Sequence, residues 1–304
     1  MTRIVVVGEG MVELARASRA EDAWRLGFGG DTLNTAIHLA RLGEEVRYLT
    51  ALGDDPFSDD LRARWKAEGV DPSLILTVPG GTPGLYAIRT DDAGERTFSY
   101  WRGESAARRL FDLPDSEAAV AATEEADVLV YSLISLAILP DDGRAALVAL
   151  AQRMRAAGRV VAFDGNYRPR LWREAADARH WRDRAAAAAT IGLPTREDEA
   201  MLGDDEAPSR IARRWIDLGA GEVVVKLGAE GCLLSDGTVV PPPATLRPRD
   251  TSGAGDAFNA GYLHARSAGS SPSAAAEAGH RLAGWVVMRA GAVPPRDAGF
   301  DYAA

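Results

Sequence analysis

Lysine and cysteine are nearly absent from this chain of 304 residues: Lys66 and Lys226 are the only lysines among 35 basic residues, and Cys232 is the only cysteine. A lone cysteine excludes an intramolecular disulfide framework and fits a reducing compartment. Neither lysine follows a glycine, which excludes a P-loop. Long apolar runs are missing as well. The longest, 128–139, is interrupted by Ser132 and Ser135 and is too short to span a bilayer, so it reads as a buried strand and the loop after it. A short apolar stretch ending at Gly8 lacks the features of a signal peptide, and a cytoplasmic protein with no membrane partner is expected. Positive charge is in deficit, with a formal net charge of −9, which argues against nucleic acid as a partner and leaves small molecules.

The apolar fraction of 46% and charged fraction of 26% are those of an ordinary globular protein. Short β-rich apolar runs alternate with amphipathic stretches, the pattern of an α/β fold around a mainly parallel sheet. Core strands are expected at 4–7, 46–51, 128–132, 160–163, 190–193 and 223–227. Helices are expected at 31–42, closed by Gly43, and from Asp55-Pro56 to Gly69, where Asp supplies the N-cap and Pro the first helical position. Two more are expected at 254–267 and 273–290. Segments 13–28 and 84–101 alternate polar and apolar residues instead and suggest a small separate sheet. No linker rich in Gly, Ser or Pro divides the chain, so one domain, 1–304, with an insertion is expected.

The most informative stretch is Asp250-Thr251-Ser252-Gly253-Ala254-Gly255-Asp256-Ala257-Phe258. It opens a helix, whose first turn has unpaired N–H groups and a positive dipole end suited to a phosphoryl group. Asp256, one turn in, would face both that group and an attacking oxygen, as a general base must. Taken alone, the segment is read equally well as a helix start whose Asp complements the dipole. Other motifs fail: Gly8-Glu9-Gly10 begins a dinucleotide fingerprint, but its third glycine falls on Glu13. His38, His180, His264 and His280 lack metal-ligand spacing and read as solvated or core residues, as Cys232 does.

Together these segments resemble the ribokinase-like (PfkB) carbohydrate kinases over nearly the whole chain, from Val7-Gly8-Glu9 to Arg289-Ala290-Gly291-Ala292. Two signatures carry the resemblance: Phe28-Gly29-Gly30-Asp31-Thr32-Leu33-Asn34-Thr35-Ala36, and the run from Asp250 to Phe258. Three further segments resemble the branch of the family that acts on 2-keto-3-deoxygluconate. They are Pro83-Gly84-Leu85-Tyr86; Glu95-Arg96-Thr97-Phe98-Ser99-Tyr100-Trp101-Arg102; and Asp164-Gly165-Asn166-Tyr167-Arg168-Pro169-Arg170-Leu171-Trp172.

The resemblance implies a mainly parallel central sheet flanked by helices on both faces, with a small inserted β-sheet as a lid at about 11–30 and 82–104. It implies ATP-dependent phosphorylation of the acid sugar at its 6-hydroxyl, with Asp256 as base and Gly253, Ala254 and Gly255 as the phosphoryl cradle. Gly30, Asp31, Asn34, Tyr86, Tyr100, Arg102 and Arg168 would bind the sugar, the arginine fork suiting a carboxylate. Ordinary cross-strand pairing is the other reading of the tyrosines and Arg102. Asn166, Arg168, Thr195, Lys226, Gly228, Gly231, Thr251, Gly253 and Gly255 would bind ATP, with adenine against 274–287, although 226–231 is equally a plain hairpin. The family's Asn-x-x-Glu motif is Thr195-Arg196-Glu197-Asp198-Glu199 here, which leaves Asp198 or Glu199 as the acid for Mg2+. A monovalent cation is left open, and a homodimer or higher homo-oligomer through the lid sheet is expected.

Overall fold

The computed structural model describes residues 1–16, 23–90, 96–203 and 207–302. In chain order its strands are β1 (Arg3–Val7), β2 (Met11–Arg16), β3 (Arg25–Gly29), β4 (Glu45–Leu52), β5 (Ile75–Thr77), β6 (Gly84–Thr90), β7 (Arg96–Trp101), β8 (Val128–Ser132), β9 (Val160–Asp164), β10 (Ile191–Leu193), β11 (Glu222–Lys226), β12 (Cys232–Leu234) and β13 (Val239–Val240). Its helices are α1 (Asp31–Arg41), α2 (Pro56–Ala67), α3 (Ser116–Glu124), α4 (Leu133–Ile138), α5 (Asp141–Ala156), α6 (Ala175–Ala188), α7 (Arg196–Met201), α8 (Pro208–Leu218), α9 (Ala254–Ser267) and α10 (Pro272–Val287).

Nine strands form the main sheet in the order β13-β12-β11-β10-β9-β8-β1-β4-β5, parallel except for the β11–β12–β13 edge. The parallel strands carry apolar residues on both faces because helices cover both. Along β1, Ile4 and Val6 join Leu33 of α1, Leu61 of α2, Tyr262 of α9 and Leu282 of α10, whereas Val5 and Val7 join Leu147 of α5, Trp181 of α6 and Ile211 of α8. The chain builds outward from β1 in both directions, through β4 on one side and β8 on the other. That reversal opens a crevice outside the carboxyl ends of β1 and β8, where ligands of such sheets bind.

A second sheet, ordered β3-β2-β6-β7, is built from the two inserted segments. Its register sets Glu13 beside Tyr86 and Tyr86 beside Tyr100 across β2, β6 and β7. Of the expected lid segments, 17–22 and 91–95, including Glu95, lie outside the described residues.

Every expected strand and helix is present. One expectation fails: residues after Ser132 do not form a loop but the short helix α4. The two serines that interrupt the apolar run are its capping box, Ser132 Oγ accepting from Ser135 N at 3.1 Å and Ser135 Oγ accepting from Ser132 N at 3.1 Å. Among the described residues no helix is long and apolar enough to cross a membrane.

Candidate active site

Two helix amino termini meet at the crevice. Helix α1 starts directly after Gly30, whose backbone passes so close to the end of β1 that a Cβ there would lie 2.2 Å from the Glu9 carbonyl oxygen. Helix α9 starts after Gly253, which has φ of 71° and sits where a Cβ would come within 2.5 Å of Ala292. No side chain caps α9: of its first-turn N–H groups that of Ala254 reaches back to the Thr251 carbonyl at 3.3 Å, and that of Gly255 is left for a ligand. Asn34 joins the helices, its Nδ2 donating to Asp256 Oδ2 at 2.8 Å. Among the described residues its own Oδ1 is buried without a partner, as is Oε1 of Glu9, so the crevice holds two acceptors in want of donors.

Beneath this junction the strand ends supply a polar cluster. Asp31 accepts from Ser132 Oγ at 2.5 Å and from Asn166 Nδ2 at 3.2 Å. Asp164 accepts from Lys226 Nζ at 2.9 Å and from Asn259 Nδ2 at 2.8 Å, and Lys226 also reaches Asn259 Oδ1 at 3.2 Å. Asp164 and Asp256 thus share the Lys226 ammonium, while Asp31 feels the Arg102 guanidinium. Burial, then the charges of Asp31 and Asp164, push the Asp256 carboxyl up to about 8 against the opposing effects of Asn34 and Lys226. Burial likewise raises Asp31. A carboxyl poised near neutrality beside an uncapped helix start is the arrangement of a general base next to an anion site.

The second sheet closes the other side. Tyr86 is buried and its hydroxyl donates to the Glu13 carboxylate, while its ring stacks on Tyr100 with centroids 5.9 Å apart. Arg102 donates Nε to Glu9 Oε2 at 2.7 Å, and its Nη2 pairs with the same oxygen, which ties the end of β7 to the end of β1.

A family model described as pfkB family carbohydrate kinase matches residues 1–298. The chain belongs to this family. It is 41% identical over 97% of each chain to the 2-dehydro-3-deoxygluconokinase of Dickeya dadantii (strain 3937), and 37% identical over 96% of each chain to that of Haemophilus influenzae (strain ATCC 51907 / DSM 11121 / KW20 / Rd). Among solved structures it resembles aminoimidazole riboside kinase from Salmonella enterica complexed with aminoimidazole riboside and an ATP analog, with a TM-score of 0.80 and 25% identity over 96% of each chain.

The pfkB-family chain gathers Asp31, Asn34, Asn166, Lys226, Gly253 and Asp256 at one place. Lys226 reaches Asp164, and 226–231 is a hairpin whose 3-10 turn, 228–230, joins β11 to β12. Thr195 lies alongside Lys226 in an isolated bridge, and Thr251 is exposed on the loop before α9. Arg168 is half-exposed and pairs with Asp198 at 3.3 Å. Tyr86 and Arg102, expected to face the sugar, already hold acidic partners.

Glu199 is fully buried, accepting from Arg182 Nη1 at 2.7 Å, from Trp215 Nε1 at 3.1 Å and from Arg214, which makes it a core ion-pair partner. Among the described residues no group of three or more His, Cys, Asp or Glu side chains could hold a metal. Asp198 remains as a hard oxygen donor, pushed up to about 6 by burial against the charges of Arg168 and Lys226. Four polar residues of the crevice were not expected: Glu9, Ser132, Asp164 and Asn259. The first three stand at strand ends, and Asn259 lies three residues beyond Asp256 on the same face of α9.

Proposed function

We propose that this chain transfers the terminal phosphoryl group of ATP to the 6-hydroxyl of 2-keto-3-deoxygluconate, giving 2-keto-3-deoxy-6-phosphogluconate and ADP. The observation that carries the reading is the buried Asp256 carboxyl, raised to about 8 and oriented by Asn34 at the uncapped start of α9. The names of the full-length relatives supply the acid sugar, and the family supplies the sugar-kinase chemistry.

In the reaction Asp256 takes the proton of the 6-hydroxyl as the new O–P bond forms and the bond to the ADP oxygen breaks. The first-turn N–H groups at Gly253, Ala254 and Gly255 meet the charge spread over the transferring phosphoryl oxygens. Asn34 Oδ1 and Glu9 Oε1, the two orphaned acceptors, suit sugar hydroxyl donors. Arg102 uses Nε and Nη2 on Glu9, so Nη1 is the donor assigned to the sugar carboxylate, with Tyr100 packing beside it. Arg168, Gly228, Gly231, Thr195 and Thr251 line the nucleotide side.

Magnesium arriving with ATP would be held by Asp198 and would offset phosphate charge. The inserted sheet acts as a lid that excludes water during transfer. On the face opposite Tyr86 and Tyr100 it also exposes Leu26 and Trp101, with Trp24 just before β3, at 39–61%, a surface suited to pairing two copies. Such a homodimer would appear by light scattering as twice the chain mass, and a monomer at micromolar concentration would remove it. The location consistent with ATP supply and a lone thiol is the cytoplasm.

Phosphorus–proton correlation NMR of the reaction tests the assignment. A phosphomonoester on carbon 6 is expected; phosphate on another carbon, or inorganic phosphate alone, would overturn it.

A further inference from the structure

His38 follows Asn34 by four residues on α1, so both side chains leave the same face of the helix. It is completely buried. Its Nε2 lies 3.0 Å from the Ala292 carbonyl oxygen and its Nδ1 lies 2.9 Å from the Tyr302 hydroxyl. A carbonyl oxygen only accepts, so Nε2 carries the hydrogen. Burial lowers the imidazole pKa to about 4, which keeps the ring neutral and leaves Nδ1 to accept from Tyr302. With no hydrogen on Nδ1, the tyrosine's single hydrogen is directed to His38. The relay is therefore fixed in direction: Tyr302 O–H to Nδ1, and Nε2–H to Ala292.

Ala292 is the residue that packs on Gly253, with its Cβ and Cα 2.5 and 2.7 Å from the position a Gly253 Cβ would take. Gly291 N donates to Asp250 Oδ2 at 2.6 Å, and Arg41 Nη1 holds the Pro294 carbonyl at 2.7 Å. One face of α1 thus holds the start of α9 from two sides. Asn34 fixes the carboxylate of Asp256 directly, and His38 fixes the turn behind Gly253.

We propose that His38, oriented by Tyr302, is a positioning residue for phosphoryl transfer: by holding the 291–292 turn against Gly253 it sets the direction of the first-turn N–H groups of α9. The inference rests on the reading above of Asp256 and the Gly253–Gly255 segment.

The test uses the full-length enzyme with His38→Leu, His38→Gln and Tyr302→Phe. For each, kcat and KM are measured for both substrates and normalised to active sites counted by calorimetric titration with a non-hydrolysable ATP analogue. In His38→Leu, kcat per site should fall about 10- to 10²-fold, the scale of a misplaced catalytic group, with the sugar KM unchanged within about twofold. His38→Gln, which keeps an N–H near the Nε2 position, should recover most of that loss, and Tyr302→Phe should lie between. A normal kcat per site in His38→Leu, equal losses in the Leu and Gln variants, or a loss matched by fewer binding sites would overturn the inference. Asp256→Asn serves as the control. If it is inactive while His38→Leu is normal, the inference alone fails; if it turns over normally, the reading beneath fails and takes the inference with it.

Discussion

Replacing Asp256 by Asn should lower turnover and raise stability together. The carboxyl is buried and its pKa is raised from 3.8 to about 8, so in the folded protein it holds a proton that the unfolded chain releases above about pH 4. For an acid with a raised folded pKa, the group's contribution to stability falls as pH rises through that window, reaching its least favourable value near pH 8. Each unit is worth about 1.4 kcal/mol. With roughly three units between the two states' behaviour at pH 7, the penalty is at most about 4 kcal/mol. An amide carries no such penalty and still offers an oxygen to Asn34 Nδ2. Thermal unfolding at pH 7 should therefore give a higher Tm for Asp256→Asn, by about 2 °C or more. The difference should vanish near pH 4. Over the same comparison kcat should fall by about 10²–10⁴, the usual worth of a general base, with little change in ligand binding. Turnover within tenfold of the parent, or a Tm lowered at pH 7, would refute the assignment of a strained catalytic carboxylate.

The pH dependence of the parent follows from the same group: kcat/KM for the sugar should climb with pH through an apparent pKa near 8, since only the ionised carboxylate accepts a proton, and a flat profile from pH 6 to 9 would contradict it. Arg102→Lys keeps a positive charge beside Glu9 but loses the planar fork, so kcat/KM for the acid sugar should fall about 10²-fold while a neutral sugar is little affected; equal effects on both would remove Arg102 from carboxylate recognition. Glu199→Gln removes one buried negative charge from beside Arg182, which keeps Asp183, and from beside Arg214, and urea unfolding should show a loss of roughly 3 kcal/mol with the magnesium requirement unchanged. A shifted magnesium requirement at full stability would return Glu199 to the metal.

The fold was legible because its signals are local. Asp55-Pro56 starts α2, Gly43 and Gly69 close the first two helices, and the βα alternation gives the parallel sheet. Helix α4 was missed since it is apolar on all sides and therefore carries no period, and its capping serines look like interruptions of a strand. In the site, Gly253, Asp256 and Asn34 announced themselves by sitting at helix starts. The Lys226–Asp164 and Arg102–Glu9 pairs did not, because their members lie 62 and 93 residues apart and meet only when strand ends are brought together. The acidic pair 198–199 offered two candidate ligands of similar chemistry. Only the rotation of α7 decides that Asp198 faces Arg168 while Glu199 points into the core.

The central claim, an ATP-dependent kinase that reads a sugar carboxylate, is tested most directly by ADP release from the purified protein with ATP and magnesium. The substrates would be 2-keto-3-deoxygluconate, its galactonate epimer, gluconate, fructose and ribose. The account predicts a kcat/KM for 2-keto-3-deoxygluconate at least about 10²-fold above fructose and ribose, near 2.7 kcal/mol of transition-state discrimination. A preference for either neutral sugar would contradict it.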